Sequence, residues 1–173
     1  MIESRLIASI LPRYNRAGKR VEKYCYVRLD IDTPWPRLSI VKDPARTGLH
    51  LGPLPSRTMA GLVIEAIQTA IPLRRCSARL GRTFTASPDA TECSAAQLGV
   101  AHCPCSGSVP ATEYQRAVAD ARRCFEGDPS LVSERLTERM RMLAAQQRFE
   151  EAAAARDRLS ACLLYTSPSP RDS

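Results

Sequence analysis

Between Leu73 and Gly107 the chain holds four of its seven cysteines, Cys76, Cys93, Cys103 and Cys105, together with His102. The same stretch contains Gly81, Pro88, Gly99, Pro104 and Gly107 and very little hydrophobic periodicity. Such a segment cannot build much core of its own, because no repeat gathers its apolar side chains on one face. Something else must hold it, either a bound group or the flanking segments. The two flanks differ in charge. Residues 1–82 carry 15 Lys/Arg against 6 Asp/Glu, residues 83–110 carry 2 acids and no base, and residues 111–162 carry 9 of each. A basic first part suits a polyanion such as nucleic acid, and a balanced second part suits protein contacts or a solvated helical surface.

At 173 residues the chain has room for one ordinary domain or two small ones, and its 44% apolar content is that of a folded protein. No apolar run approaches the roughly 20 residues of a membrane span. The start, Met1-Ile2-Glu3-Ser4-Arg5, has an early acid and no small-residue cleavage site, so it does not read as a secretory signal. These features lead to the expectation of a cytoplasmic protein with no membrane partner. Its odd number of cysteines then reads as thiols or metal ligands and not as a disulfide framework.

Taken in order, Ile2, Leu6, Ile7, Ile10 and Leu11 fall on one helical face that Pro12 ends. That helix opens at the initiator without a cap, so the chain is expected to begin inside a larger domain. The loop from Arg13 to Arg20, interleaved with Tyr14 and followed by Tyr24 and Tyr26, is suited to a phosphate backbone or to a solvated connector. Alternation over Tyr24–Asp32 predicts a strand with Cys25, Val27, Leu29 and Ile31 inward. Leu38–Val41 and the short Leu49-His50-Leu51 complete a small antiparallel sheet, on which His50 reads as structural. Gly52-Pro53-Leu54-Pro55 reads as a rigid turn into Ser56, the N-cap of a helix from Arg57 to about Ile71 that buries Met59, Leu62, Val63, Ala66, Ile67 and Ala70.

Beyond Gly107, Thr112 is placed to cap a helix to about Phe125, stopped by Gly127-Asp128-Pro129. Val132, Leu136, Met140 and Leu143 share a face of a helix ending near Gln146-Gln147. Phe149, Ala152, Ala153, Arg156 and Leu159 form a stripe on another, so an antiparallel helical hairpin is expected. That stripe is either internal core or a docking face for a partner hairpin. From about Leu163 clustered Ser and Pro read as disorder. The fold class is therefore α+β: a small antiparallel sheet with helices, a cysteine-rich linker, and C-terminal helices ending in an antiparallel hairpin. The cysteine spacing, Cys76-x16-Cys93-x9-Cys103-x-Cys105, is not that of a zinc ribbon. It leaves two readings open, four thiolates around a metal or iron–sulfur cluster, or buried and reduced thiols.

Several of these motifs occur in a familiar order. Glu3-x-x-Leu6-Ile7 and Pro12-Arg13-Tyr14-Asn15 resemble the end of a GIY-YIG nuclease domain. Pro36–Val41, Leu51–Ser56 and Pro72–Cys76 resemble the segment after that domain in UvrC-type excinucleases. Cys93-x5-Gly99 with Pro104-Cys105 resembles their cysteine-rich element. Leu136-x3-Met140 with Phe149-Glu150-x-Ala152-Ala153-x2-Arg156-Asp157 resembles the UVR hairpin through which such proteins meet UvrB. The variants Leu49–Pro53 and His102–Cys105 are similar to a branch fused to a DEDD-type exonuclease like the polymerase III epsilon subunit.

The resemblance implies a layout. Residues 1–20 would be the remnant of a GIY-YIG domain and 21–72 a small β-rich basic domain with helix 57–71. Residues 73–110 would be the cysteine-rich linker, 111–162 a helical region with the UVR-like hairpin at 131–162, and 163–173 a disordered, non-native tail. It implies a role in nucleotide excision repair, with DNA and a UvrB-like helicase as partners. Glu3 would be the carboxylate for a divalent metal (Mg or Mn) in the parent nuclease, with Asn15 in support. The activating tyrosine and phosphate-binding arginine of the family would lie before Met1, so nuclease activity is not expected of this chain alone. Arg13, Arg16, Lys19, Arg20, Lys23, Arg74 and Arg75 would contact DNA, and Leu136, Met140, Phe149, Ala153 and Arg156 the partner. Cys76, Cys93, Cys103 and Cys105 would be the ligands of an iron–sulfur cluster, with a departure: Ala101 stands where the family has a cysteine, so Cys103 or His102 would have to substitute. Two other classes of function stay open, a non-catalytic adaptor for DNA or protein and a metal-sensing or redox module.

Overall fold

The computed structural model describes residues 24–44, 47–87 and 89–166. The expected helix over 2–11 and the basic loop, with Glu3, Arg13, Asn15, Arg16, Lys19, Arg20 and Lys23, lie outside these residues, as does 167–173. Three strands, β1 (Cys25–Leu29), β2 (Leu38–Val41) and β3 (Leu49–Leu54), form an antiparallel sheet in the order β2-β1-β3. Five helices follow: α1 (Arg57–Ala70), the single turn α2 (Ser94–Gln97), α3 (Ala111–Phe125), α4 (Ser130–Ala145) and α5 (Phe149–Thr166). The class is α+β, as the alternation and the later helical periodicity predict.

β1 sits at the centre because every second residue is apolar. Cys25, Val27 and Leu29 are buried, and Val27 stands opposite Ile40 on one side and Leu51 on the other. The strand is shorter than predicted: it stops at Leu29, and Ile31 is exposed in the turn that follows. β3 is longer than predicted. Gly52-Pro53 does not turn the chain; the strand continues through it to Leu54. Pairing slips from Val27↔Leu51 to Cys25↔Leu54, which places an extra residue on β3. A bulge on an edge strand takes a proline without leaving a ladder bond unmade. Gly52 has φ +136, and a Cβ there would stand 2.9 Å from the Tyr26 ring, so the bulge needs glycine.

Ser56 caps α1 as expected, its hydroxyl accepting from the Met59 N–H at 3.1 Å. The helix buries Ala60, Val63, Ala66, Ile67 and Ala70, whereas Met59 and Leu62 are only half-buried at the margin of the core. α1 packs on β1 and β2 with one flank and on α4 and α5 with the other. α3 begins directly after Pro110 with no side-chain cap, so Thr112 lies inside the first turn instead of capping it. α4 ends at Ala145, and Gln147, in the left-handed region at φ 58, reverses the chain into α5. α5 runs on to Thr166, past the point where the clustered Ser and Pro predict disorder. Cys162 and Thr166 are both buried, and the Thr166 hydroxyl donates to the Cys162 carbonyl at 2.7 Å. Packing one turn apart on the core side overrides the weak helical propensity of this end.

One continuous core joins residues from Cys25 in β1 to Cys162 in α5, including Leu73, Tyr114, Val132 and Leu136. Fully burying side chains such as Leu29, Leu54, Ile67 and Leu136 contributes about 1.5–3 kcal/mol each. A second, small cluster, Leu143, Ala152 and Ala155 with Met140 against it, lies at the far end of the α4–α5 hairpin. The hairpin is thus rooted in the main core and carries a separate tip.

Tyr114 on α3 is the residue that crosses between layers. It is fully buried and stacks edge-on against Trp35 with centroids 5.3 Å apart. Its hydroxyl donates to the Pro36 carbonyl and accepts from the Arg74 backbone N–H at 3.2 Å. Burial pushes its phenol up to about 12 from the ordinary 10.0. Tyr114→Phe, which strips two buried backbone groups of their partner, is expected to cost about 1–3 kcal/mol in urea unfolding near neutral pH. Because the native phenol titrates above the unfolded one, its contribution is complete below pH 10 and is lost as pH rises towards about 12. The gap between wild type and Tyr114→Phe should therefore narrow on going from about pH 8 to about pH 11. A gap that stays constant or widens would refute the assignment.

Candidate functional site

The cysteine-rich stretch leaves α1 at Ile71, whose N–H closes the helix on the Ile67 carbonyl at 2.8 Å. Leu73 is fully buried and anchors the stretch in the main core. Arg74 follows, only 5% exposed. Its Nε donates to the Trp35 carbonyl at 2.8 Å, and its Nη1 donates to the Ala78 carbonyl at 2.8 Å and approaches Cys76 Sγ at 3.6 Å. A buried guanidinium has five N–H donors to satisfy, and here backbone carbonyls of two loops take those of Nε and Nη1. The side chain of Arg74, expected from the sequence to contact DNA, is here engaged in holding the 76–78 loop against the turn after β1. On the other side of the stretch the His102 N–H bonds to the Pro72 carbonyl at 2.7 Å, and Leu80, Ala101, Cys103 and Pro104 are buried.

These anchors bring the four cysteines together. Cys76 and Cys105 Sγ atoms are 3.6 Å apart, and Cys105 and Cys93 both contact Cys103. The contacts thus run in sequence, Cys76 to Cys105 to Cys103 to Cys93. Cys103, set two residues later than the family pattern, still reaches the group, while Ala101 is packed inside. Burial pushes Cys105 up to about 12, helped by its contacts with Cys76 and Cys103. Burial pushes Cys103 up as well, but hydrogen bonds from Cys93 and Cys105 outweigh it and leave this thiol below the ordinary value. The donor chemistry suits a thiolate-bound metal group. The arrangement does not: among the described residues no group of three or more His, Cys, Asp or Glu is placed to hold a metal ion. No chemical step follows through a metal or cluster, and the geometry is that of thiols packed in mutual contact.

His102 lies beside this group. Its Nε2 is 3.5 Å from Glu113 at the start of α3, and its Nδ1 is buried without a hydrogen-bond partner in the structure. His50, on β3, likewise has a buried Nε2 without one. Of the residues assigned to DNA, Arg75 is exposed, and its Nη2 donates to the Gln68 carbonyl at 3.2 Å, near the end of α1.

The five hairpin residues divide by position. Leu136 is fully buried in the main core, and Met140 is half-buried against the tip cluster. Ala153 is half-buried, and Arg156 is exposed beside Asp157 at 3.0 Å. Phe149 is 66% exposed at the start of α5, close in sequence to the exposed Met142 at the end of α4. The inward stripe of α5 is Ala152, Ala155, Ala161 and Cys162; Phe149 stands off it. No helix among the described residues is long and apolar enough to cross a membrane.

Comparison with known proteins gives a consistent relationship. Residues 24–124 match the family model described as UvrC/Cho excinuclease, middle domain. Curated relatives named UvrABC system protein C include those of Syntrophus aciditrophicus, 32% identical over 162 residues, and Syntrophotalea carbinolica, 34% identical over 162 residues. That of Natronomonas pharaonis is 32% identical over 163 residues. Each alignment covers 93% of this chain and 25%, 26% and 27% of the respective relative. The chain therefore spans about a quarter of the length of the curated relatives it matches. No solved structure matches it.

If Arg74 holds the cysteine stretch closed, Arg74→Gln should loosen Cys76 and Cys105 selectively. With Cys105 returning from about 12 towards the ordinary thiol value of 9.0, its alkylation by iodoacetamide should accelerate by at least about tenfold at mildly alkaline pH. Cys124 and Cys162, buried in the main core, should keep their wild-type rates in the same mass-mapped labelling. Unchanged rates at Cys76 and Cys105 would remove Arg74 from this role.

Proposed function

Because the chain belongs to the family of UvrC/Cho excinuclease middle domains, we propose that it serves nucleotide excision repair as a joint, binding DNA on one side and a UvrB-like helicase through the tip of its α4–α5 hairpin. The observation that carries this reading is the construction of the hairpin. Its base, with Val132, Leu136, Ala161 and Cys162, is inside the main core, while its tip holds a small core of its own and presents Phe149 and Met142 to solvent. Phe149 and Met142 flank the helix–helix turn and belong to neither core, which leaves both side chains available to a partner. They fit a partner hairpin of similar shape, with Arg156 and Ala153 on the adjoining surface of α5.

In this reading the cysteine stretch is structural. Cys76, Cys93, Cys103 and Cys105 are the ligands a thiolate-bound group would use, and we assign them the role of packed thiols that fix the linker between sheet and hairpin. Glu3, with Asn15 in support, is the position at which a divalent ion would join the chemistry of a complete nuclease. The strand-cutting activity belongs to that larger assembly.

The test of the docking face is a pull-down of a UvrB-like protein by the purified chain. Phe149→Asp is expected to abolish capture while leaving the unfolding midpoint unchanged, because the ring is outside both cores. Leu136→Ala, by contrast, should lower stability by about 2–5 kcal/mol through cavity formation in the main core. Equal capture by wild type and Phe149→Asp would contradict the proposal.

A further inference from the structure

An open cleft of about 620 Å³ lies where the end of α1, the 99–102 segment, α4 and α5 meet. Its walls carry Arg75, Arg135, Arg139 and Arg158, with Glu65 as the one carboxylate. Three of these guanidiniums are held in place. Arg135 donates through Nη1 to the Ala70 carbonyl at 3.0 Å, and Arg75 donates through Nη2 to the Gln68 carbonyl at 3.2 Å. Both thereby satisfy last-turn carbonyls of α1, a helix that has no basic residue of its own in that turn. Arg158 donates through Nε to Glu65 at 2.8 Å, which cancels the cleft's carboxylate. Each of these bonds uses one N–H of the five a guanidinium offers, so the remaining donors are left for a ligand.

We propose that this cleft binds the phosphates of a single nucleic-acid strand. The proposal rests on the DNA-binding part of the functional reading above and locates it. The charge is concentrated: four arginines drawn from α4, α5 and the segment after α1 face one cavity, although the helical half of the chain carries equal numbers of acids and bases. Arg135 and Arg139 are four residues apart on α4, about 6 Å along its axis, so that successive phosphates on one strand can each meet a guanidinium. Val100, 42% exposed, lines the rim, and Leu98, 75% exposed, is two residues away. They offer apolar surface to sugars or bases. No Phe, Tyr or Trp ring lines the cleft among the described residues, and His102 supplies its one imidazole, so recognition should follow the backbone more than the sequence.

Anisotropy with a short fluorescein-labelled single-stranded DNA, followed across a salt series, tests this. Arg75→Gln with Arg139→Gln removes two exposed guanidiniums, sparing Arg135 on the Ala70 carbonyl and Arg158 on Glu65, and an unchanged unfolding midpoint shows that the lost bond from Arg75 to the Gln68 carbonyl leaves the fold intact. Wild type should bind, and the double variant should bind at least about tenfold more weakly, with the slope of log K against log salt reduced by roughly 1.4, about 0.7 for each phosphate no longer neutralised. Arg122→Gln with Arg123→Gln, an equal loss of charge on the exposed side of α3, should change affinity much less. Equal losses in the two double variants, or none in the cleft variant, would overturn the proposal while leaving DNA binding intact. Absence of binding by wild type would overturn it together with the DNA-binding part of the functional reading. Displacement by inorganic tripolyphosphate at matched phosphate concentration would make the cleft a small-anion site and overturn the strand assignment. Loss of poly-glutamate binding with DNA binding retained would overturn it in favour of an acidic protein segment.

Discussion

The fold depends on the meeting of Tyr114 and Arg74. One phenol, fully buried, ties a carbonyl in the turn after β1 to the backbone of the segment after α1, and the guanidinium of that same segment reaches the neighbouring carbonyl of the turn. A neutral tyrosine at this place costs little to bury because both its hydrogen-bonding directions are filled. The buried arginine is tolerated for the same reason, since carbonyls of Trp35, Cys76 and Ala78 surround its donors. Through this pair a segment without a hydrophobic pattern becomes a fixed part of the core. The cysteines of that segment gather beside this anchor, with Cys76 and Cys105 Sγ 3.6 Å apart.

This arrangement also decides what the two ends of the helical hairpin can do. The base of α4 and α5 is buried against α1, so its residues answer for stability and for the orientation of the cleft arginines. The tip is held only by Leu143, Ala152, Ala155 and Met140, and small residues there let the two helices approach closely. Phe149 and Met142 project from it. In the proposed reading the arginine cleft lies along the middle of the hairpin and the docking face at its tip, so the same two helices would carry both a bound strand and a bound helicase.

The sequence is informative wherever a single periodicity governs the outcome. The alternation of Cys25, Val27 and Leu29, the Ser56 cap, and the 3.6-residue stripe of Val132, Leu136 and Leu143 all reappear in the structure at or near the positions expected of them. It misleads where tertiary partners change the local preference. Gly52-Pro53 has every mark of a turn, but pairing with β1 converts it into a bulge. The end of α5 is weakly helical by composition, but burial of Cys162 and Thr166 carries it on. The tasks of the arginines are the hardest to read. Arg74 and Arg75 are neighbours in the chain, yet one is buried as a brace and the other stands on the cleft wall. Arg135, Arg139 and Arg158 resemble ordinary solvated helix charges, and only the packing of α4 and α5 against the end of α1 brings them together. Their one advance signal is the i, i+4 spacing of Arg135 and Arg139.

Sheet, cysteine stretch and hairpin base are joined through the Tyr114–Arg74 contact and should therefore fold as one cooperative unit. The single tryptophan, Trp35, lies against Tyr114 beside the sheet, and far-UV circular dichroism reports mainly on the helices, so urea unfolding can be followed from both sides at once. Coincident transitions with one midpoint are expected by tryptophan fluorescence and by circular dichroism. Two separated midpoints, with the fluorescence change complete while the helices persist, would contradict this coupling.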